Sequence, residues 1–132
     1  MAYRKPPLFA AKVFNPLAMR FGISGAQTLA VAGRRSGRVH RVPVIPVQLD
    51  GATYLVSPRG EAHWVRNLRA GGGVGDLGGK DGSTPFRATE IPVDERPPIL
   101  DAYREKAGRA VESHFKALPD PADHPIFRIS RT

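Results

Sequence analysis

Asp50-Gly51 sits between two apolar runs, residues 42–49 and 52–57, and leaves them two residues in which to reverse direction. A connection that short admits one arrangement, neighbouring strands running antiparallel, with Asp-Gly supplying the positive-φ turn. A second antiparallel pair is expected upstream. Residues 28–32 and 42–49 flank the stretch Gly33-Arg34-Arg35-Ser36-Gly37-Arg38-Val39-His40-Arg41, in which Gly33 and Gly37 mark a turn. Pro43 and Pro46 cannot donate to a ladder, so the run 42–49 should carry a bulge or lie at a sheet edge. Further strands are expected at 74–77, 84–91 and 126–129, with a glycine-rich turn at 78–82. About six short, mostly antiparallel strands in so small a chain hide their edges best by closing into a barrel or sandwich.

Helical spacing interrupts the strands. Trp64, Val65 and Leu68 place a short helix over 61–70, and Gly71-Gly72-Gly73 ends it in what reads as a loose turn. Ile99, Leu100 and Tyr103 form the inner stripe of a helix over 94–106, and residues 109–117 continue as another. The class is therefore α+β. At the N-terminus, residues 6–14 and 16–21 read as two short helices separated by the cap-like Asn15-Pro16. The 132 residues are expected to form one domain, with 1–25 as an N-terminal helical segment and 26–132 as the barrel and its helices. The segment either plugs an open barrel end or, as a basic amphipathic stretch over residues 4–21, touches a membrane surface.

Charge narrows the chemistry. The first 49 residues contain Arg4, Lys5, Lys12, Arg20, Arg34, Arg35, Arg38 and Arg41 and no acid, and these eight bases account for the entire net charge of +8. A one-sided positive field concentrates anions. The turn at 33–41 adds guanidinium forks, a serine hydroxyl and backbone N–H groups, the donors that hold a phosphate or carboxylate. With no cysteine, disulfides, thiolate nucleophiles and cysteine-based metal or iron–sulfur sites are excluded, and a cytoplasmic location is expected. His40, His63, His114 and His124 are too scattered in sequence to suggest a metal site. No apolar run approaches the roughly 18 residues of a spanning helix, and no signal peptide is expected.

The turn 33–37 followed by a base and Pro43, the strand at 54–57, and Trp64-Val65-Arg66-Asn67-Leu68-Arg69-Ala70 together resemble the deazaflavin-dependent nitroreductase family. The likeness covers roughly residues 15–87, with a weaker match at 124–129. It implies a split β-barrel that binds coenzyme F420, a deazaflavin with a phosphate and an oligoglutamate tail that carries a hydride at C5. It further implies a deazaflavin-dependent oxidoreductase that passes the hydride to a quinone, a nitroaromatic or an unsaturated small molecule. Carried over residue by residue, the phosphate-binding turn falls on Arg35, Ser36 and Gly37, with the following base at His40 or Arg41, and the neighbouring Arg34 is expected to bind the cofactor as well. The wall beside the ring falls on Ser57, Pro58, Arg59 and Gly60, with Trp64 behind it. Tyr103 and His114 are the candidate proton donors on the C-terminal helices. The loop Gly60-Glu61-Ala62-His63 is shorter than in the family, so the pocket over the ring is expected to differ.

Each feature also has a plainer reading. Trp64 reads first as a core residue, and Asn67 as a brace for backbone. A non-enzymatic carrier of the deazaflavin or a flavin remains the alternative function, with flavin mononucleotide as the alternative cofactor. Haem is disfavoured for want of an evident axial histidine. A nucleic-acid-binding barrel is disfavoured because residues 28–32 and 42–49 carry no aromatic for base stacking. The expected partners are thus a small hydride acceptor, without nucleic acid, for a monomer or homodimer.

Overall fold

The computed structural model describes residues 25–79 and 82–131; the two helices expected over 6–14 and 16–21 lie outside them. Seven strands form one sheet: β1 (Gln27–Ala32), β2 (Val39–Val44), β3 (Val47–Leu49), β4 (Ala52–Val56), β5 (Val74–Gly79), β6 (Gly82–Glu90) and β7 (Ile126–Arg131). Helix α1 (His63–Ala70) precedes β5, and α2 (Pro97–Ala107) and α3 (Arg109–Ala117) lie between β6 and β7. The spatial order is β2-β1-β5-β6-β7-β4-β3, and every neighbouring pair is antiparallel. Among the described residues no helix is long and apolar enough to cross a membrane.

The order contains its own proof of curvature. β2 and β3 stand at opposite edges of the sheet, yet only Ile45 and Pro46 separate them in the chain. Laid flat, six inter-strand steps of about 4.8 Å would hold these edges nearly 30 Å apart. The link from Val44 to Val47 spans three Cα steps, about 11 Å at most. The sheet must therefore curl until its edges almost meet, which makes a split barrel. The run expected as a single strand over 42–49 is thus two strands, broken at Ile45-Pro46, and seven strands stand where about six were expected. Both halves lie on sheet edges, as the prolines suggested, because an edge strand can spare a donor.

Both faces of the curled sheet are covered. Residues alternate between faces along a strand, and β4 and β7 show the division. Leu55 and Phe127 join Leu29, Val31, Leu77 and Phe86 inside the barrel, where Trp64, Val65 and Leu68 of α1 close one end. Their neighbours Val56 and Ile126 face the other way, onto Ile99, Leu100, Tyr103, Val111 and Phe115 of α2 and α3. The last strand, β7, lies inside the sheet, between β6 and β4.

The three glycines after α1 are a tight element, which corrects the expectation of a loose turn. Gly73 N–H donates to Leu68 O at 2.8 Å and Gly72 N–H to Arg69 O at 3.3 Å, the paired bonds of a Schellman cap, with Gly72 at φ 72°. Gly73, at φ 84°, then lies directly on β6: its carbonyl accepts from Ala88 N–H at 2.7 Å, and an added Cβ would run into the Ala88 carbonyl oxygen. The expected turn at 78–82 is likewise mostly strand, since Gly78 pairs with Ser83 and Gly79 with Gly82. Across the same corner Arg69 bridges Glu61 at 2.6 Å and Glu90 at 2.7 Å. Its hydrogen bonds hold the Glu61 carboxyl below the usual carboxylate range.

Gly73→Ala is expected to lower stability by about 2 kcal/mol or more, from backbone strain and the clash with β6 together. Urea unfolding reads this as a lower midpoint at unchanged slope. A midpoint within error of the unsubstituted protein would show that β6 gives way at no cost.

Candidate functional site

The seam of the split barrel is open. A cleft of about 1000 Å³ lies there, between the outer edge of β2, the end of β4, the start of α1 and one face of α2 and α3. Residues 40–44 of β2 and Ile45 just after it line the cleft one after another, both those facing into the barrel and those facing out. A strand contributes to a cavity in that way when its edge, rather than one face, borders the space. Among the described strands β2 pairs only with β1, and its other edge borders the cleft.

The wall is apolar at the back and cationic at the mouth. Val44, Ile45, Val56, Trp64 and Val111 form the inner part. Arg34, Arg35, Arg41, Arg59 and Arg66 contribute five guanidinium-bearing residues, joined by His40, His63 and His114, and no carboxylate lies among the described lining residues. Most of the residues expected at a site meet here: Arg34, Arg35, Ser36, His40, Arg41, Ser57, Pro58, Arg59, Trp64, Tyr103 and His114 all border this one space.

Gly37 and Gly60 are not among the lining residues. Gly37 shapes the turn instead: its N–H donates to Gly33 O at 3.0 Å and its φ is 77°. Gly60 is buried, and its carbonyl accepts from Ser57 Oγ at 2.6 Å, which closes the loop 57–60 on itself. The turn itself is shorter than expected. β2 begins at Val39, so His40 and Arg41 are strand residues and point to opposite faces. His40 pairs with Val31 of the barrel interior, whereas Arg41 pairs with Ala30 on the outer face.

One side chain sets the turn. Asn67 Oδ1, on a residue 4% exposed, accepts from Arg34 N–H at 3.0 Å and from Arg34 Nη1 at 2.7 Å. Arg34 Nη2 stands 3.5 Å from His63 Nδ1. The turn is thus bolted to α1, and Arg34 serves partly as a brace while Arg35 and Arg59 remain exposed. Ser36 Oγ accepts from Arg38 N–H at 3.1 Å and keeps its own proton to donate. Asn67 is a brace, as expected, and Trp64 is both a core residue, 5.9 Å from the Phe127 ring, and part of the cleft wall. Tyr103 is 3% exposed, and burial raises its hydroxyl well above the ordinary phenol range, so it holds its proton throughout the physiological span.

Sequence reading missed His63, Arg66 and Asn67 as parts of the site. The signal was present: they stand at i, i+3 and i+4 on α1 and so share a face. What periodicity could not say is that this face looks onto the seam. Among the described residues no three His, Asp or Glu side chains converge as a metal ion would need.

The fold has solved counterparts. No protein-family model matches the chain, and no curated protein matches it. Solved structures do. An F420-H2 dependent reductase, FDR-A, aligns over 81% of this chain and 95% of its own at 20% identity, with a TM-score of 0.59. HutZ, the haem storage protein of Vibrio cholerae, aligns over 90% of each chain at 14% identity, with a TM-score of 0.62. An FAD-binding protein of Mesorhizobium loti covers 89% of this chain and 88% of its own at 17% identity, with a TM-score of 0.54. The likeness is one of fold, and it agrees with the split barrel that the sequence resemblance implied.

Asn67→Ala should cost about 1 kcal/mol, the loss on leaving the part-buried Arg34 N–H without its acceptor. It should also weaken binding of inorganic phosphate to the turn. Urea unfolding and a phosphate titration followed by Trp64 fluorescence check the two effects. An unchanged unfolding midpoint would show that the bond contributes nothing net.

Proposed function

We propose that the protein is an oxidoreductase that holds reduced coenzyme F420 in the seam cleft and passes its hydride to a quinone, a nitroaromatic or an unsaturated small molecule. The observation that carries this reading is the pairing, in one cleft, of an apolar back wall with a cationic mouth free of carboxylates among the described residues. A flat ring with a phosphorylated, carboxylate-bearing tail needs that combination. The sequence resemblance and the fold shared with FDR-A support the same choice.

When bound, the deazaflavin supplies the hydride at C5, and the chain supplies everything around it. Arg35, Ser36 and Arg59, with Arg41 beside them, are positioned to hold phosphate and carboxylate oxygens, and Arg34 and Arg66 extend the cationic rim. Val44, Ile45, Val56 and Val111 exclude water from the inner part of the cleft. Tyr103 keeps its proton at Oη in this space, and His114 borders it from α3. These two groups are assigned as proton donors to the reduced acceptor.

A second reading, a carrier or store rather than an enzyme, is favoured by the fold shared with a haem storage protein. It predicts the same binding and no turnover. Parallel titration with deazaflavin, flavin mononucleotide and haem, read through Trp64, separates the cofactors.

Arg35→Ala should weaken coenzyme binding roughly 10- to 100-fold, the loss of one charge-assisted hydrogen bond of about 1.5–3 kcal/mol. The weakening should shrink as salt is raised. An unaltered dissociation constant would remove Arg35 from the site. Tyr103→Phe should lower turnover by about 10²-fold, the low end for a lost general acid, and leave coenzyme affinity alone. Stopped-flow absorbance of the reduced coenzyme with quinones and nitroaromatics measures it. Tight binding with no oxidation across the whole acceptor panel would replace the enzyme with the carrier.

A further inference from the structure

Between Asp50 and Asp76 the chain has one acidic residue, Glu61. It stands in the loop between β4 and α1, two residues from Arg59 and two from His63, and both of these line the cleft. Glu61 is not among the described lining residues. A carboxylate so placed is drawn toward the guanidinium groups at the mouth. Arg69, in the last turn of α1, takes it instead: Nη1 donates to Glu61 Oε1 at 2.6 Å and Nη2 to Oε2 at 3.1 Å.

Arg69 is itself fixed from the other side. Its Nε and Nη2 donate to the two carboxylate oxygens of Glu90 on β6, at 2.9 and 2.7 Å. Glu90 Oε2 also accepts from Arg96 Nη2 at 3.5 Å. Arg96 is 6% exposed and is held by donating to the carbonyls of Ile91 at 3.0 Å and Pro121 at 3.1 Å. A lone exposed ion pair contributes little to stability. Two forks on one guanidinium, braced by a buried arginine, fix a direction. Arg69, Glu90 and Arg96 are not among the described lining residues either. Arg66, one turn before Arg69 on α1, does line the cleft, and it is close enough to Glu61 to favour the charged carboxylate.

We propose that Arg69 is a positioning residue for the cationic mouth: it holds the Glu61 carboxylate out of the cleft, so that Arg59 and Arg66 stay open to an anion. Released from Arg69, Glu61 has Arg66 within electrostatic reach and Arg59 two residues away, and its carboxylate occupies the mouth as an internal competitor. The lining is thus free of carboxylates among the described residues although an acid stands in the wall loop. The inference rests on the anion-binding part of the reading above and not on which cofactor carries the anion.

Sulfate binding by the whole protein, at constant pH and ionic strength and read through Trp64 fluorescence, tests it as a double-mutant cycle. Arg69→Gln should weaken sulfate binding about 5- to 10-fold, and adding Glu61→Gln should restore it. Glu61→Gln alone should change the affinity by less than about 2-fold. The non-additivity is decisive, because a mere change in the overall positive field makes the two substitutions add. An equal effect of Glu61→Gln in the two backgrounds, or no weakening by Arg69→Gln, overturns the proposal. Arg69→Lys keeps the charge and gives up the fork, and it serves where Arg69→Gln fails to fold. A fall of about 2- to 3-fold, again removed by Glu61→Gln, is expected of it, and an unchanged affinity overturns the proposal. No sulfate binding by the unsubstituted protein brings down the anion-site reading and this inference together, whereas binding with additive effects removes this inference alone.

Discussion

Ile45 and Pro46 carry the chain from one edge of the sheet to the other, and the rest of the architecture answers to that short link. Because two residues cannot span a flat seven-stranded sheet, the sheet has to curl. Curling brings β2 and β3 near each other without pairing them, since the chain must leave one edge before it can join the other. The outcome is a barrel with one seam. A seam in a barrel is costly wherever backbone groups go unpaired in an apolar place. The cleft lies at this seam.

Covering both faces of a curled sheet sets the division of labour among the helices. β4 and β7 send alternate residues to two separate cores, so each strand depends on α1 at one face and on α2 and α3 at the other. That arrangement also delivers the site. α1 closes the barrel end with Trp64, Val65 and Leu68 while its other side, with His63, Arg66 and Asn67, looks onto the seam. Tyr103 belongs to the outer core and still reaches the cleft. Several cleft-lining residues are therefore held by the same packing that stabilises the fold.

The electrostatics follow a similar economy. Five arginine residues around one cleft would repel one another in a dry place, and the structure spreads them over β2, two loops and α1 at the open mouth. One of them, Arg34, is partly neutralised in function by Asn67, which spends its carbonyl oxygen on the turn. The buried polar groups nearest the site, Ser57, Asn67 and His124, all contact backbone. They shape the walls and leave the guanidinium groups of Arg35 and Arg59 exposed at the cleft.

Much of this was written in local sequence. Asp50-Gly51 forced one hairpin, Pro43 and Pro46 marked an edge, and the arginine turn gathered the positive charge that now lines the cleft. These are short-range effects: turn stereochemistry, missing donors and the density of like charge need no knowledge of what lies across the molecule. Long-range placement was not legible. That residues 42–49 divide between the two edges of the sheet follows from closure. The tight seat of Gly73 follows from β6 lying against it, fifteen residues further along the chain at Ala88. The meeting of His124 with both Ser57 and Leu118 follows from β7 being drawn in between β6 and β4. Each of these depends on contacts between residues far apart in the chain, and such contacts exist only once the sheet has curled and its seam has been placed.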